Sequence, residues 1–321
     1  MARGAIPPSP LPPRHGVDAQ RIRMPQDGPW ETLRDHLVER LTGLTAAEVD
    51  RKLAAGEFVD ASGQPVPADA PFVPRSVCWT HRDLPVEVEV PFEIEILHRD
   101  ERLVVIDKPH FMSTMPRGRH VVQSALARTR VLTGLDRLTP AHRLDRPTAG
   151  VLMFTTEQQW RGAYQGVFAD GRVHKEYLAV APVRPDLALP LVRRTHVVKE
   201  HGRHQARELP GREPNAETLI ELVAEADGLG LYRLTPRTGR THQLRCQLWG
   251  LGIPILGDPL YPVERDVPDG DFSEPLQLLS AVLEFDDPID GTRRRFQTRR
   301  TLSEWAGLSA GGFGGGHAPG P

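Results

Sequence analysis

The chain lacks what several function classes require. Its two cysteines, Cys78 and Cys246, are too few for a disulfide framework and fit a reducing cytoplasm. No apolar run approaches the roughly 18 residues that a membrane helix needs. The opening segment, MARGAIPPSPLPPRHG, holds no apolar core of signal-peptide length, so no export leader is expected. Lysine occurs only at positions 52, 108, 175 and 199, so nearly all the positive charge is arginine. GxGxxG, GxxxxGK[ST], HExxH, CxxC and GxSxG are all missing, which removes the common nucleotide, zinc and serine-hydrolase signatures. His196, His201 and His204 lie close in sequence, but no cysteine or acid completes a zinc set. What is left is acid, arginine and tyrosine chemistry without a cofactor.

The length of 321 residues suggests about two domains and a core that needs no staples. With 39% hydrophobic and 26% charged residues, the composition is that of a globular protein. The net charge is −2, which taken alone argues against a nucleic-acid partner. Its distribution argues otherwise. Residues 28–101 carry seven basic and fifteen acidic groups, whereas residues 114–148 carry seven arginines and two aspartates. Residues 233–247 hold four arginines and residues 291–300 hold five, with no acid in either segment. Counterion release depends on local density, so these three segments are candidates to face a polyanion. A solvated arginine-rich face is the plainer account of any single cluster.

Seven prolines in residues 1–29 suggest a disordered arm, and SAGGFGGGHAPGP from Ser309 suggests a disordered tail. Between them, Leu33, Leu37, Leu41 and Leu44 form an amphipathic stripe. A second helix should begin after Thr45, capped with Glu48. GEFVDASGQPV reads as strand, turn, strand. From Phe92 strands dominate, at 93–109, 150–155, 173–181, 216–224, 230–235 and 276–285, with helices at 120–132, 156–169 and 239–251. In the middle helix, Trp160, Tyr164, Val167 and Phe168 share a face. This non-alternating order predicts an α+β fold with a mixed, largely antiparallel sheet. Four parts are expected: an arm (1–29), a small α+β module (30–90), a catalytic domain (91–308) and a tail (309–321).

The densest constellation is AHRLDRPTAGVLMFT, where Asp145 sits between Arg143 and Arg146 ahead of an apolar strand. Flanking arginines favour the carboxylate, suited to a nucleophile or base. From the spacing alone, a loop salt bridge at a strand entrance is the better account. In RTGRTHQLRCQLWGLG, Thr241 and Arg245 are i, i+4 neighbours on a helix whose Leu244 and Leu248 form an apolar side. Arg245 could pair with a carboxylate elsewhere, or simply belong to an amphipathic helix. Tyr177, in HKEYLAVA, is either core or a stacking platform for a base. Lys108-Pro109 ends a strand and opens a loop.

Together and in this order, LVVIDKP, HRLDRPTAGVLMFT, KEYLAVA and RTGRTHQLRCQLWGLGIPILGDPLY closely resemble the RluA-type pseudouridine synthases. The resemblance runs from about Glu93 to about Arg300, and QLLSAVLEFDDPIDGTRRRF resembles the family's last strand pair. It implies an isomerase that moves the glycosidic link of uridine in ribosomal or transfer RNA from N1 to C5, without cofactor or metal. It implies that Asp145 is the nucleophile, that Arg245 pairs with it, and that Tyr177 stacks on the base and serves proton transfer at C5. Arg143 would fill the RNA stack that the flipped uridine leaves. His142, Arg146, Thr148, Arg240 and Lys108 complete the implied substrate-binding set. The implied enzyme is a cytoplasmic monomer with RNA as its partner. Ala149 stands where the family usually has serine, a position that supports the loop. Residues 30–90 have the helix–helix–hairpin outline of the ribosomal-protein-type RNA module that many relatives carry, without its basic surface. The alternatives are a non-catalytic RNA-binding or ribosome-assembly factor on the same fold, and a metal-free hydrolase using Asp145.

Overall fold

The computed structural model describes residues 8–84 and 86–311. The chain divides at Val86/Glu87 into two compact units. In the first, β1 (Gln20–Arg23) precedes α1 (Leu33–Arg40) and α2 (Ala46–Ala54), and β2 (Val77–Thr80) returns antiparallel to β1. Both helices start on capping boxes, Thr32 with Asp35 and Thr45 with Glu48. Leu33 and Leu37 of the stripe meet Val49, Leu53, Ile22 and Met24 in one buried cluster.

The expectation of a disordered arm over 1–29 fails from Gln20 onward. Ile22 and Met24 alternate with Arg21 and Arg23, the period-two pattern of a half-buried strand, and both apolar side chains are buried. The surrounding prolines masked that pattern, and the pairing partner lies more than fifty residues downstream. GEFVDASGQPV forms an isolated bridge, Val59 with Pro65, in place of two strands; Val59 also bridges Trp79. At the other end, α6 (Ser303–Gly311) runs into the expected tail, whose remainder lies outside the described residues.

The second unit is built on one ten-stranded sheet. Its hairpin β3 (Glu95–Arg99)–β4 (Leu103–Lys108) leads through α3 (Ala125–Thr133) and β5 (Thr139–Pro140) to β6 (Ala149–Thr155). Then come α4 (Gln158–Ala169), β7 (His174–Pro182), β8 (Leu191–Thr195) and a short separate pair, β9 (Val197–Val198) with β10 (Arg207–Glu208). After β11 (Ala216–Ala226) and β12 (Leu229–Pro236), α5 (Gln243–Gly250) precedes β13 (Leu278–Asp286) and β14 (Arg293–Gln297). The main path is β3-β4-β6-β13-β7-β12-β11-β8, with β5 on β6 and β14 on β13. Among the described residues only the β6–β13 strand pairing in this sheet is parallel, so the sheet is mixed and largely antiparallel, an α+β architecture.

β4 and β6 read as unbroken apolar runs because both faces are covered. Val104, Ile106, Leu152 and Phe154 pack towards Ala125 and Leu126 of α3. Leu103, Val105, Val151 and Met153 pack towards Tyr164 and Val167 of α4, with Trp160 and Phe168 on the same side. Leu244 and Leu248 of α5 join a third cluster with Ile220, Tyr232 and Leu234.

One row of cross-strand partners prepares the site. Lys108 lies opposite Gly150, Gly150 opposite Ser280, and Ser280 opposite Tyr177. Gly150 has φ +107°, and an added Cβ would lie 2.2 Å from the Ser280 carbonyl oxygen. Only glycine allows β6 and β13 to close here.

Candidate active site

Asp145 sits on the loop that enters β6. Its carboxylate is partly open, with a third of the side chain exposed. The loop main chain is fixed by side chains from the segment that follows β4. Thr114 Oγ1 donates to the Leu144 carbonyl (2.7 Å) and accepts from the Leu144 amide (3.0 Å). Lys108 Nζ donates to the carbonyls of Pro109, Met112 and Arg146, at 3.0, 2.6 and 3.3 Å. His110 Nδ1 lies 2.7 Å from the Pro147 carbonyl, so this nitrogen carries the proton. Burial first, then the charges of Lys108 and Arg300, lower the His110 pKa to about 4 against the opposing pull of that carbonyl, so the ring is neutral.

Arg245 projects from α5 and is buried. Its Nε and Nη2 donate to the two carboxylate oxygens of buried Asp258, at 2.7 and 2.6 Å. Its Nη1 faces Asp145 Oδ2 at 3.4 Å. Asp258 also accepts from the amides of Leu260 and Tyr261. The Tyr261 ring lies 5.4 Å from the guanidinium carbon, within cation–π range. Gly257, at φ +68°, sets up Asp258; a Cβ there would meet the Pro275 carbonyl oxygen at 2.4 Å. His242, the α5 N-cap with φ +56°, brings Nε2 to 3.9 Å from Asp145 Oδ2. Burial lowers the His242 pKa, with Asp145 opposing, so this imidazole tends to neutrality.

Tyr177 on β7 is half-buried. Burial pushes its pKa up to about 12, with the Asp145 charge adding to the rise and a hydrogen bond with Ser280 opposing it. The phenol therefore keeps its proton at neutral pH. Through Ser280 and Gly150, Tyr177 shares the cross-strand row of Lys108, whose amine reaches the Asp145 loop at the Arg146 carbonyl. The structure thus gathers Asp145, Arg245 and Tyr177 from three separated motifs.

The expected substrate-binding residues divide into two groups. Arg143 is exposed, with no ion pair or side-chain hydrogen bond among the described residues. Arg240 is exposed and donates to the Asn215 carbonyl. Arg146 is half-buried, with a long contact of 3.9 Å to Asp269. The other three turn inwards. Lys108 is fully buried, and its amine donates among three carbonyl acceptors. Thr148 is buried, and its amide donates to the Asp145 carbonyl. His142 stacks on Phe168 at 4.6 Å and accepts from the Met153 amide. Burial, with Lys175 adding, pushes its pKa down to about 3. These three shape the loop that carries Asp145.

Sequence reasoning did not single out Asp258, Tyr261, His242, Thr114 or Ser280. Asp258 and Tyr261 stood in plain view in GDPLY, but nothing local marks that aspartate as the guanidinium's main partner.

The fold and this site define a class: a carboxylate held against a buried arginine, with a tyrosine in the strand row beside its loop, at the seam of a mixed sheet. Residues 102–249 match the family model described as RNA pseudouridylate synthase. An uncharacterized RNA pseudouridine synthase of Haemophilus influenzae is 29% identical over 190 residues, covering 58% of this chain and 81% of that protein. The dual-specificity RNA pseudouridine synthase RluA of Pasteurella multocida is 31% identical over 175 residues, covering 52% and 77%. Among solved structures, human RNA pseudouridylate synthase domain containing 4 superposes with a TM-score of 0.51 at 25% identity, covering 68% of this chain and 92% of that one. The chain belongs to the RluA-type RNA pseudouridine synthase family, and its enzyme class is that of the isomerases.

Proposed function

We propose that the chain converts specific uridines in ribosomal or transfer RNA to pseudouridine, with Asp145 as nucleophile and the uridine flipped from its stack. The carrying observation is the Asp145 carboxylate, partly open to solvent and fixed between Arg245 and a clamped loop. In the overall reaction the N1–C1′ bond breaks and a C5–C1′ bond forms. The C5 proton leaves, and N1 ends with a proton, so atoms balance with no added reactant. Arg245 holds one oxygen of Asp145 and leaves the carboxylate aimed outward. Tyr177, as a neutral phenol, offers a face for the base. When Asp145 is consumed in a covalent bond, its charge no longer adds to the Tyr177 pKa, so the phenol gives up its proton to solvent more easily and the phenolate can take the proton from C5. Arg143 is free to fill the vacated stack, with a planar cation suited to that place. Extracting the base costs roughly a few kcal/mol, which phosphate contacts offset. The enzyme is proposed to act as a cytoplasmic monomer, a setting that suits its two buried free cysteines.

The test is Asp145→Asn, assayed by tritium release from RNA carrying 5-tritiated uridine. We expect RNA binding near that of the parent and turnover reduced to background. Sustained turnover would remove Asp145 from the mechanism. A parent chain that binds RNA but releases no tritium from any cellular RNA would favour the non-catalytic binding factor.

A further inference from the structure

The N-terminal unit carries an open, solvent-facing cavity of about 810 Å³ that the reaction does not use. Arg23 from β1, Arg40 from the end of α1 and Arg75 from the turn before β2 line it. All three are exposed, and none has an ion pair or side-chain hydrogen bond among the described residues. Arg34, Arg51 and Lys52 of this unit are matched by acids, Arg34 by Asp50, Arg51 by Glu57, and Lys52 by Glu57 and Asp83; Arg14 and Arg21, which no acid matches among the described residues, do not line the cavity. Three unpaired guanidinium groups around one hollow, in a segment rich in acids, are arranged for an anion.

The cavity wall is aromatic. Trp30 meets His36 edge-on at 4.4 Å and Phe72 at 5.2 Å. His36 is 3% exposed, and neither of its ring nitrogens has a hydrogen-bond partner. Burial lowers its pKa, so the neutral ring presents one donor and one acceptor. Buried polar groups left in that state are destabilising unless a ligand satisfies them. Glu39 also lines the cavity, where it accepts from Trp30 Nε1 at 2.8 Å and leaves the arginines in excess.

We propose that this cavity binds a nucleotide of single-stranded RNA, with its phosphate on Arg23, Arg40 and Arg75 and its base against Trp30 and His36. A flat heterocycle with donors and acceptors on its edge, joined to a phosphate, meets every unsatisfied feature at once. The inference rests on the proposed function only in choosing RNA over a free nucleotide, which shares the same chemistry.

The probe is a fluorescent twelve-nucleotide oligoadenylate, which contains no uridine for the Asp145 site. Full-length chain is titrated with it by anisotropy, cross-linked to it at 254 nm, and mapped by mass spectrometry. We expect cross-links within residues 23–75 and about tenfold weaker binding in Arg40→Glu/Arg75→Glu, whose melting temperature stays unchanged. Arg40→Lys/Arg75→Lys should recover most of the affinity. Cross-links confined to residues 87–311, or unchanged affinity in the folded double Glu variant, would overturn the proposal. So would adenosine monophosphate binding as tightly as the oligomer, which would assign the cavity to a free nucleotide. Pseudouridine formation at saturating RNA should survive the double Glu substitution. Its absence from the parent chain would strike the enzymatic reading and leave this one standing.

Discussion

Arg245 faces two carboxylates of unequal burial, and the buried one holds it more firmly. Asp258 takes two short, parallel bonds from the guanidinium fork, leaving Nη1 for Asp145. Asp258 is therefore a positioning residue. Removing one member of a buried ion pair costs about 3–5 kcal/mol, because the other charge stays desolvated. Asp258→Asn should lose that much stability in urea unfolding. Because its neutral amide no longer fixes the fork, kcat should fall more than RNA affinity. An Asp258→Asn chain with parental stability and turnover would refute this role. Asp145 was readable from its arginine-flanked motif; Asp258 was not, since its partner lies on another element.

At the scale of elements, the seam between β6 and β13 and the clamp behind the Asp145 loop decide the site. Gly150→Ala would drive a Cβ into the Ser280 backbone and strain a left-handed φ. We expect a loss of about 2–4 kcal/mol in thermal unfolding and a steep loss of turnover, since Tyr177 pairs with Ser280 in the same row. Burial lowers the Lys108 pKa to about 7 from 10.5, with Asp145 opposing and Arg300 and Arg146 adding. Between those values the unfolded chain holds a proton that the folded chain has released. Stability therefore gains about 1.4 kcal/mol per pH unit from this group as pH rises above 7. Lys108→Met should lose that slope in urea titrations at pH 7.5 and 9.0. It should also lower turnover at every pH, because three carbonyls of the clamp lose their donor. A slope identical to the parent's would count against the shifted lysine.

Across the whole molecule, the arginine islands turn out to be unequal. Residues 291–300 were expected to face RNA, but each of their arginines meets an acid. Arg293 and Arg295 contact Glu284, and Arg294 contacts Asp287 and Asp100. Arg299 pairs with Glu95, and Arg300 with Asp107. Arg143 in the 114–148 segment is free of such partners. Arg143→Glu should weaken RNA binding about tenfold and lower the magnitude of the salt slope by about one. Arg295→Glu should change either quantity much less. Equal effects from the two, measured by anisotropy over a salt series, would restore the uniform basic face.

Local pattern settled much about this protein. The unbroken apolar runs of β4 and β6, the capping boxes of α1 and α2, the aromatic face of α4 and the Asp145 motif are all written within a few consecutive residues, where backbone geometry reads them directly. Tertiary structure alone decided the rest. Which acids neutralise residues 291–300, that Arg21 and Arg23 belong to a strand, that Asp258 anchors Arg245, and that Lys108 braces a loop thirty-eight residues away all depend on pairings between distant segments. Such pairings follow from how the sheet closes, and no local propensity encodes them.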